Sequence, residues 1–404
     1  LSETMNITSL KIMVVIGARP NYMKTAPLIH ALNAASRNDP SSPSIEIELI
    51  HTGQHYEDLL SKFLIEELSF PPVDINLKVG SASHGQQTGL ILQRFEPVLH
   101  ASNPDVVVVA GDVNSTLACA MVAAKNYLRL PDGRLRRPRI AHIEAGLRSF
   151  DKTMPEEINR RLTDTLADDL FIHSPEAREN LLREGALEEN ILNVGNLMID
   201  TLDRLLPLAR NSDIFNRLAL MPSSDAGSPR PYALVTLHRP SNVDDPEMLQ
   251  KILRGIARIS PDIEVIFPVH PRVREAIPAV LKNLGGSGLE PLAPIHAVEP
   301  LEYLSFIALM DKAEIVLTDS GGVQEETTAL GVPCLTIREN TERPITVEMG
   351  TNTLVGTDEE RIVAAGRRAL TGGRKKGLRP PLWDGRAGER AARLLVERTL
   401  EARK

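Results

Sequence analysis

Aromatic side chains are scarce in this chain, at 3% of 404 residues. Base-stacking surfaces for single-stranded nucleic acid need exposed Phe, Tyr or Trp, so that class is excluded as the main function. Positive charge is not in excess either. The formal net charge is −7, whereas a phosphate-backbone binder carries a basic face, and no nucleic-acid partner is expected. The basic run Arg134, Arg136, Arg137 and Arg139 flanks Pro131 and Asp132–Gly133 and reads as a solvated loop. Cysteine is nearly absent: Cys119 and Cys334 each sit in an apolar segment, which argues for buried thiols in a reducing compartment. No apolar run approaches the ~18 residues that span a bilayer, and the N-terminus lacks a basic-then-apolar signal pattern. A cytoplasmic protein with no membrane partner is the expectation. The glycine fingerprint GxGxxG is also missing, since neither GARP after the first apolar run nor GGSG at 285–288 has that spacing. A bound nicotinamide is therefore not supported, and no cofactor is expected. His51 and His55 in HTGQH have no Cys cluster or third ligand near them in sequence, so no metal is expected.

What is present is ordinary globular composition, 42% hydrophobic and 25% charged, in a chain long enough for two domains. Short apolar runs alternate with helical patterns from residue 10 onward, the signature of repeated βαβ units. The first set predicts strands at Lys11–Ile16, Ile45–His51, Val106–Ala110, Ile140–Glu144 and Leu170–Ile172. Helices are predicted at Ala26–Ala35, Tyr56–Leu68, Gly85–His100 and Pro155–Ala167. The run Val106–Val109 has no polar alternation, so both faces should be buried, as in a parallel sheet. The pattern pauses near Val194–Asn196, and 221–231 reads as a surface loop. A second set follows at Tyr232–Leu237, Glu264–Val269, Ile315–Thr318 and Pro333–Ile337, and a charged helical pattern closes the chain from Gly385. The expected fold class is α/β, with two Rossmann-like doubly wound domains: residues 1–197 with 385–404, and residues 198–384.

Open parallel sheets bind ligands beyond the carboxyl ends of their strands, so the polar residues there carry the functional signal. After the first strand come Gly17 and Arg19, with Lys24 about one helical turn on. Arg19 suits a diphosphate, and an ordinary βα turn fits equally well. After the all-valine strand comes Asp112, either a helix cap or an acid/base group. Glu144 closes its strand, where a carboxylate needs a partner. Thr153 and Glu156 fit a capping box with Pro155 in the first turn, and Glu156–Arg160 and Glu157–Arg161 have i,i+4 spacing. In the second set His238–Arg239 ends a strand. Thr318–Glu326 feeds Ser320, Gly321 and Gly322 into a helix start, whose free amides and dipole make an anion site. Glu325 and Glu326 fall in the opening turns, where a carboxylate can accept ribose hydroxyls or simply suit the dipole.

Taken together, GARPN, HTGQH, GDVNST, HIEAGLRS, MPEEINR, TLHRP, LTDSGGVQEE and ENTERP resemble the non-hydrolysing UDP-N-acetylglucosamine 2-epimerases, from about Lys11 to the C-terminal helix. The resemblance implies the glycosyltransferase-B arrangement of two facing domains, with the last helix crossing back to the first, and a homodimer. It also implies that Asp112, Glu144 and Glu156 are the catalytic carboxylates and His238 the active-site histidine. Arg19, Ser320, Gly321 and Gly322 would then meet the diphosphate, Glu326 the ribose and Phe306 the uracil, with Lys24 and Arg160 also in the site. The sequence departs from the pattern at Pro240, across 268–272 and across 81–95, the last two in segments that some relatives use for a second, regulatory UDP-sugar. The catalytic set is intact. The family's route removes UDP across C1–C2 to a glycal and re-adds it with C2 inverted, which needs acid/base groups on both faces of the ring. Rival readings are the same chemistry on a UDP-diacetamido uronic acid, a glycosyltransferase of this fold, and a non-catalytic UDP-sugar sensor.

Overall fold

The computed structural model describes residues 9–38, 43–54, 65–130, 132–221, 227–284 and 292–403. Most of the helix expected at 56–68 lies outside them, as does His55. The chain divides into two compact units, Leu1–Thr201 with Pro381–Lys404, and Leu202–Pro380.

The first unit contains β1 (Ser9–Ile16), β2 (Ser44–His51), β3 (Ile75–Asn76), β4 (Val106–Ala110), a small hairpin of β5 (Leu128–Arg129) and β6 (Leu135–Arg136), β7 (Arg139–Ile143), β8 (Asp169–Ile172) and β9 (Ile191–Asn193). Seven of them form a sheet in the order β3-β2-β1-β4-β7-β8-β9, with every pair parallel. Every residue of β4 is buried, as an all-valine strand covered by helices on both faces requires. The core beside it gathers Ile91, Phe95 and Leu99 from helix His84–Ser102 and Ala118, Cys119 and Val122 from helix Asn114–Lys125. The C-terminal helix Ala387–Glu401 belongs to this unit and packs along helix Arg19–Asn38. Its N-terminus is held by Asp200, whose carboxylate accepts the N–H groups of Ala387 (3.1 Å) and Gly388 (2.7 Å). The buried indole of Trp383 donates to the His173 carbonyl at 2.9 Å and fixes the chain ahead of that helix.

The second unit contains β10 (Tyr232–Thr236), β11 (Glu264–Pro268), β12 (Ile295–Val298), β13 (Ile315–Thr318), β14 (Cys334–Thr336) and β15 (Asn352–Leu354). Their order is β12-β11-β10-β13-β14-β15, again all parallel. Both sheets are thus doubly wound. In such sheets the strand order reverses at one place, and the crevice outside the carboxyl ends there is the ligand position. That place is β1/β4 in the first unit and β10/β13 in the second.

Candidate active site

At the β1/β4 switch point the turn after β1 is tied down by Asn21. Its side-chain oxygen accepts Gly17 N–H (3.0 Å) and Ala18 N–H (2.8 Å), and its amide donates to the Ala110 carbonyl (2.8 Å). Gly17 is required there, because a Cβ would fall 2.4 Å from Ser115 Oγ. Arg19 opens the following helix, half-buried, with no ion pair among the described residues. One helical turn on, Lys24 is buried and its ammonium pairs with Glu144.

Glu144 lies one residue beyond its strand, since β7 ends at Ile143 rather than at Glu144 as the sequence suggests. It is buried and has φ of 68°, a left-handed backbone that a non-glycine residue adopts only where its surroundings impose it. Asp112 is not a helix cap, for the helix it precedes is capped by Val113. Its carboxylate instead accepts Arg160 Nε (3.0 Å) and Nη2 (2.8 Å). Asn159 donates to the Asp112 carbonyl at 2.8 Å. The Glu144 carboxylate lies beside the turn that leads into Asp112: an ideal Cβ on Gly111 would lie 3.0 Å from Lys24 Nζ and 3.6 Å from Glu144 Oε2.

Glu156 departs from the sequence reading. Helix Pro155–Leu166 is capped by Met154, so Glu156 sits one position too early for a capping box. Thr153 donates its hydroxyl to Asp151 (2.6 Å) instead. The expected i,i+4 pairs are also replaced. Arg160 bonds Glu157 (2.6 Å, i,i+3), and Arg161 turns to Glu184 (3.2 Å). Glu157 does the local structural work, accepting Ser149 N–H (2.9 Å) and Phe150 N–H (3.2 Å). Glu156 is left half-buried, with no hydrogen bond to Asp112 or Glu144 among the described residues.

At the β10/β13 switch point His238 follows β10 and Asp319 follows β13. Asp319 is fully buried and accepts His238 Nδ1 (2.9 Å), His238 N–H (3.1 Å), Arg239 N–H (2.9 Å) and Asn242 Nδ2 (3.1 Å). Burial opposes its ionisation, but the His238 ring and these N–H groups hold the carboxyl below the usual carboxylate range. With Nδ1 on Asp319, Nε2 of His238 has no hydrogen bond among the described residues.

Helix Gly321–Leu330 starts at Ser320 with no side-chain cap, so its first amides stay available to an anion. Gly321 lets the Arg343 guanidinium lie close to the helix start, because a Cβ there would sit 2.3 Å from Arg343 Nη1 and displace it. Arg343 pairs with Glu325 (3.1 Å) and Glu342 (2.7 Å). Glu325 is therefore committed to Arg343, while Glu326, also buried, receives the hydroxyl of Tyr303. Tyr303 begins helix Tyr303–Lys312, which presents half-buried Phe306 one turn later.

Sequence reasoning missed Asp319, Tyr303 and Arg338. Arg338 follows β14 and is buried, with one guanidinium nitrogen lacking a partner among the described residues and another on Glu342 at 2.7 Å. A signal existed for Asp319 and Arg338, since each lies just beyond a strand's carboxyl end. The His51 ring accepts Gly53 N–H (3.0 Å) and so serves its own turn.

Comparison with known proteins identifies the family. The family model for UDP-N-acetylglucosamine 2-epimerase matches residues 39–396. A UDP-N-acetylglucosamine 2-epimerase of Methanocaldococcus jannaschii is 42% identical, over 96% of this chain and 99% of the relative. Its crystal structure with UDP-GlcNAc and UDP aligns with TM-score 0.81 and 40% identity, over 96% of this chain and 100% of that one. A UDP-2,3-diacetamido-2,3-dideoxy-D-glucuronate 2-epimerase of Pseudomonas aeruginosa is 38% identical over 89% of this chain and 92% of the relative. Two doubly wound sheets, acids at one switch point and a glycine helix start at the other thus have a common explanation: the chain belongs to the UDP-N-acetylglucosamine 2-epimerase family.

Proposed function

We propose that this chain interconverts UDP-N-acetylglucosamine and UDP-N-acetylmannosamine by elimination and re-addition of UDP. The observation that carries the reading is the pair of acids at the β1/β4 switch point, half-buried Asp112 and buried Glu144, each held by its own cation: Asp112 by Arg160 and Glu144 by Lys24. The C2 hydrogen has no adjacent carbonyl, so a simple proton abstraction would leave an unstabilised carbanion. In the elimination a carboxylate takes the C2 proton, the C1–C2 double bond forms, and the C1–O bond breaks with its electron pair leaving on UDP. In the return step a UDP oxygen adds to C1 and an acid delivers a proton to the opposite face of C2. Asp112, Glu144 and Glu156 supply these proton transfers, and no external redox partner is needed.

The departing diphosphate carries the negative charge that develops. In the second unit His238, the Ser320 hydroxyl and the amides of Gly321 and Gly322 are suited to such a charge, the Ser320 N–H being taken by Thr318 Oγ1 (2.9 Å), and in the first unit Arg19 is suited to it as well. Glu326 takes the ribose hydroxyls and Phe306 the uracil. Lys24 and Arg160, which pair with the acids, also serve the substrate's polar groups. The free thiols Cys119 and Cys334, both buried, support a cytoplasmic setting. A homodimer is part of the proposal. Ile158 and Leu162 lie one turn apart on helix Pro155–Leu166 at 51% and 45% exposure, which supports a covered face. Size-exclusion chromatography with light scattering should give twice the 44.4 kDa chain mass.

The test is incubation with UDP-N-acetylglucosamine alone, followed by proton NMR for the C2-inverted sugar. Sugar transfer that starts only when an acceptor is added would make the protein a glycosyltransferase. The second reading, favoured by the 38% identical Pseudomonas relative, is the same reaction on a UDP-diacetamido uronic acid. Parallel kcat/KM values for the two sugars decide between them.

A further inference from the structure

His142 lies on β7 with its side chain fully buried. Its Nε2 meets the Gly111 carbonyl at 2.8 Å, and its Nδ1 meets Asp164 Oδ1 at 2.6 Å. A carbonyl can only accept, so Nε2 donates. Asp164 also accepts, taking Gly146 N–H at 3.1 Å and Arg148 Nη2 at 2.7 Å, so Nδ1 donates to it as well. Burial disfavours the Asp164 carboxylate, but the His142 ring and the Arg148 guanidinium hold its carboxyl below the usual range. Arg148, buried too, ends the chain of contacts on Glu184 at 2.7 Å.

The two ends of this pair fall at telling places. The Gly111 carbonyl belongs to the peptide that enters Asp112. Gly146 N–H lies two residues beyond Glu144, in the turn that Glu144 opens with its left-handed backbone. One His–Asp pair therefore grips the peptide before one acid and the turn after the other. A main-chain bond from Gly111 N–H to the Ile143 carbonyl (3.0 Å) joins the same two turns. We infer that His142 and Asp164 are positioning residues: a buried strut that sets the separation and orientation of Asp112 and Glu144. The inference rests on the proposed role of those two acids.

The strut touches no part of a bound nucleotide's expected partners, which separates it from a binding role. Misplacing a reacting group by about 1 Å can lower a rate ~10²-fold. In His142→Gln and Asp164→Asn we expect kcat to fall by roughly that factor while UDP affinity stays within about three-fold. Residues acting as one unit are non-additive, so the double variant should be no slower than the worse single. Amide hydrogen exchange supplies a readout independent of turnover. Segments 106–117 and 139–150 should both exchange faster in each variant, while segments of Leu202–Pro380 keep wild-type rates. If either core variant fails to fold, Glu184→Gln at the solvent-facing end loosens the same chain of contacts and should raise exchange in both segments by less. Wild-type exchange in both segments, a rise in one alone, or kcat and UDP affinity falling together would overturn the strut. A wild-type enzyme that turns over no UDP-sugar would defeat the proposed reaction, while the exchange data would still decide whether the strut exists.

Discussion

The two switch points present their polar groups in opposite ways. In the first unit the chemistry is carried by side chains held by other side chains. Lys24 pairs with Glu144, and Arg160 bridges Asp112 and Glu157. In the second unit main-chain groups join the side chains. Asp319 collects the N–H groups of His238 and Arg239, and the helix at Gly321 offers uncapped amides. The proposed reaction gives this difference a reason. Groups that gain and lose protons need carboxylates whose charge a neighbouring cation stabilises. A leaving diphosphate is served by preorganised donors such as fixed main-chain dipoles. On the proposed reading the first edge supplies the proton carriers and the second most of the groups for the anion.

The sharpest way to break this contrast is to remove one proton carrier at a time. Asp112→Asn, Glu144→Gln and Glu156→Gln should each lower turnover by ~10²–10⁴-fold with UDP affinity nearly unchanged. Glu156 is the most informative of the three. Its capping role is ruled out by the cap at Met154, so Glu156→Gln should melt with wild-type Tm. A Glu156→Gln enzyme with full activity would confine proton transfer to Asp112 and Glu144.

Changes in the second unit should do the reverse and act on binding. A hydrogen bond to a charged group is worth ~1.5–3 kcal/mol, so Glu326→Ala should weaken UDP by roughly ten- to a hundred-fold in a calorimetric titration. Tyr303→Phe, which removes the hydroxyl on Glu326, should weaken it by less, about ten-fold at most. Equal UDP affinity in both variants would mean that Glu326 meets no ribose.

The smallest expected effect is on stability and concerns Asp319. Its carboxyl is depressed in the folded state. Such a group contributes stability that is fully present above the unfolded value of about 4 and is lost as pH falls through the lower folded value. Asp319→Asn should therefore lower Tm most near pH 7, with the gap to wild type closing below about pH 4. A gap that stays constant down to pH 3 would show that Asp319 matters by shape rather than by charge.

Much of the architecture was legible because its signals are local. The unbroken Val106–Val109 run and the alternation of apolar runs with helical patterns follow directly from burial on both sheet faces. The strand-end residues Asp112, Glu144, His238 and Ser320 were legible because doubly wound sheets place ligands there. What escaped was geometry made between distant residues. Asp319 reaches His238 across 81 positions and His142 reaches Asp164 across 22, and no periodicity records either. The positive φ of Glu144 is likewise invisible, because any side chain can be written at that position. The exchange of roles between Glu156 and Glu157 came from a one-residue shift of the helix start. Adjacent glutamates make that shift undetectable in sequence, and only backbone geometry chooses between them.

The central claim is that C2 loses its hydrogen to a protein carboxylate and regains one from the opposite side. It is tested most directly by incubating the enzyme with UDP-N-acetylglucosamine in D2O, without sugar acceptor or nicotinamide, and reading C2 by NMR and mass spectrometry. The account predicts one deuterium at C2 of the inverted sugar, and of recovered substrate after prolonged turnover. Inverted product that keeps its original hydrogen would contradict it.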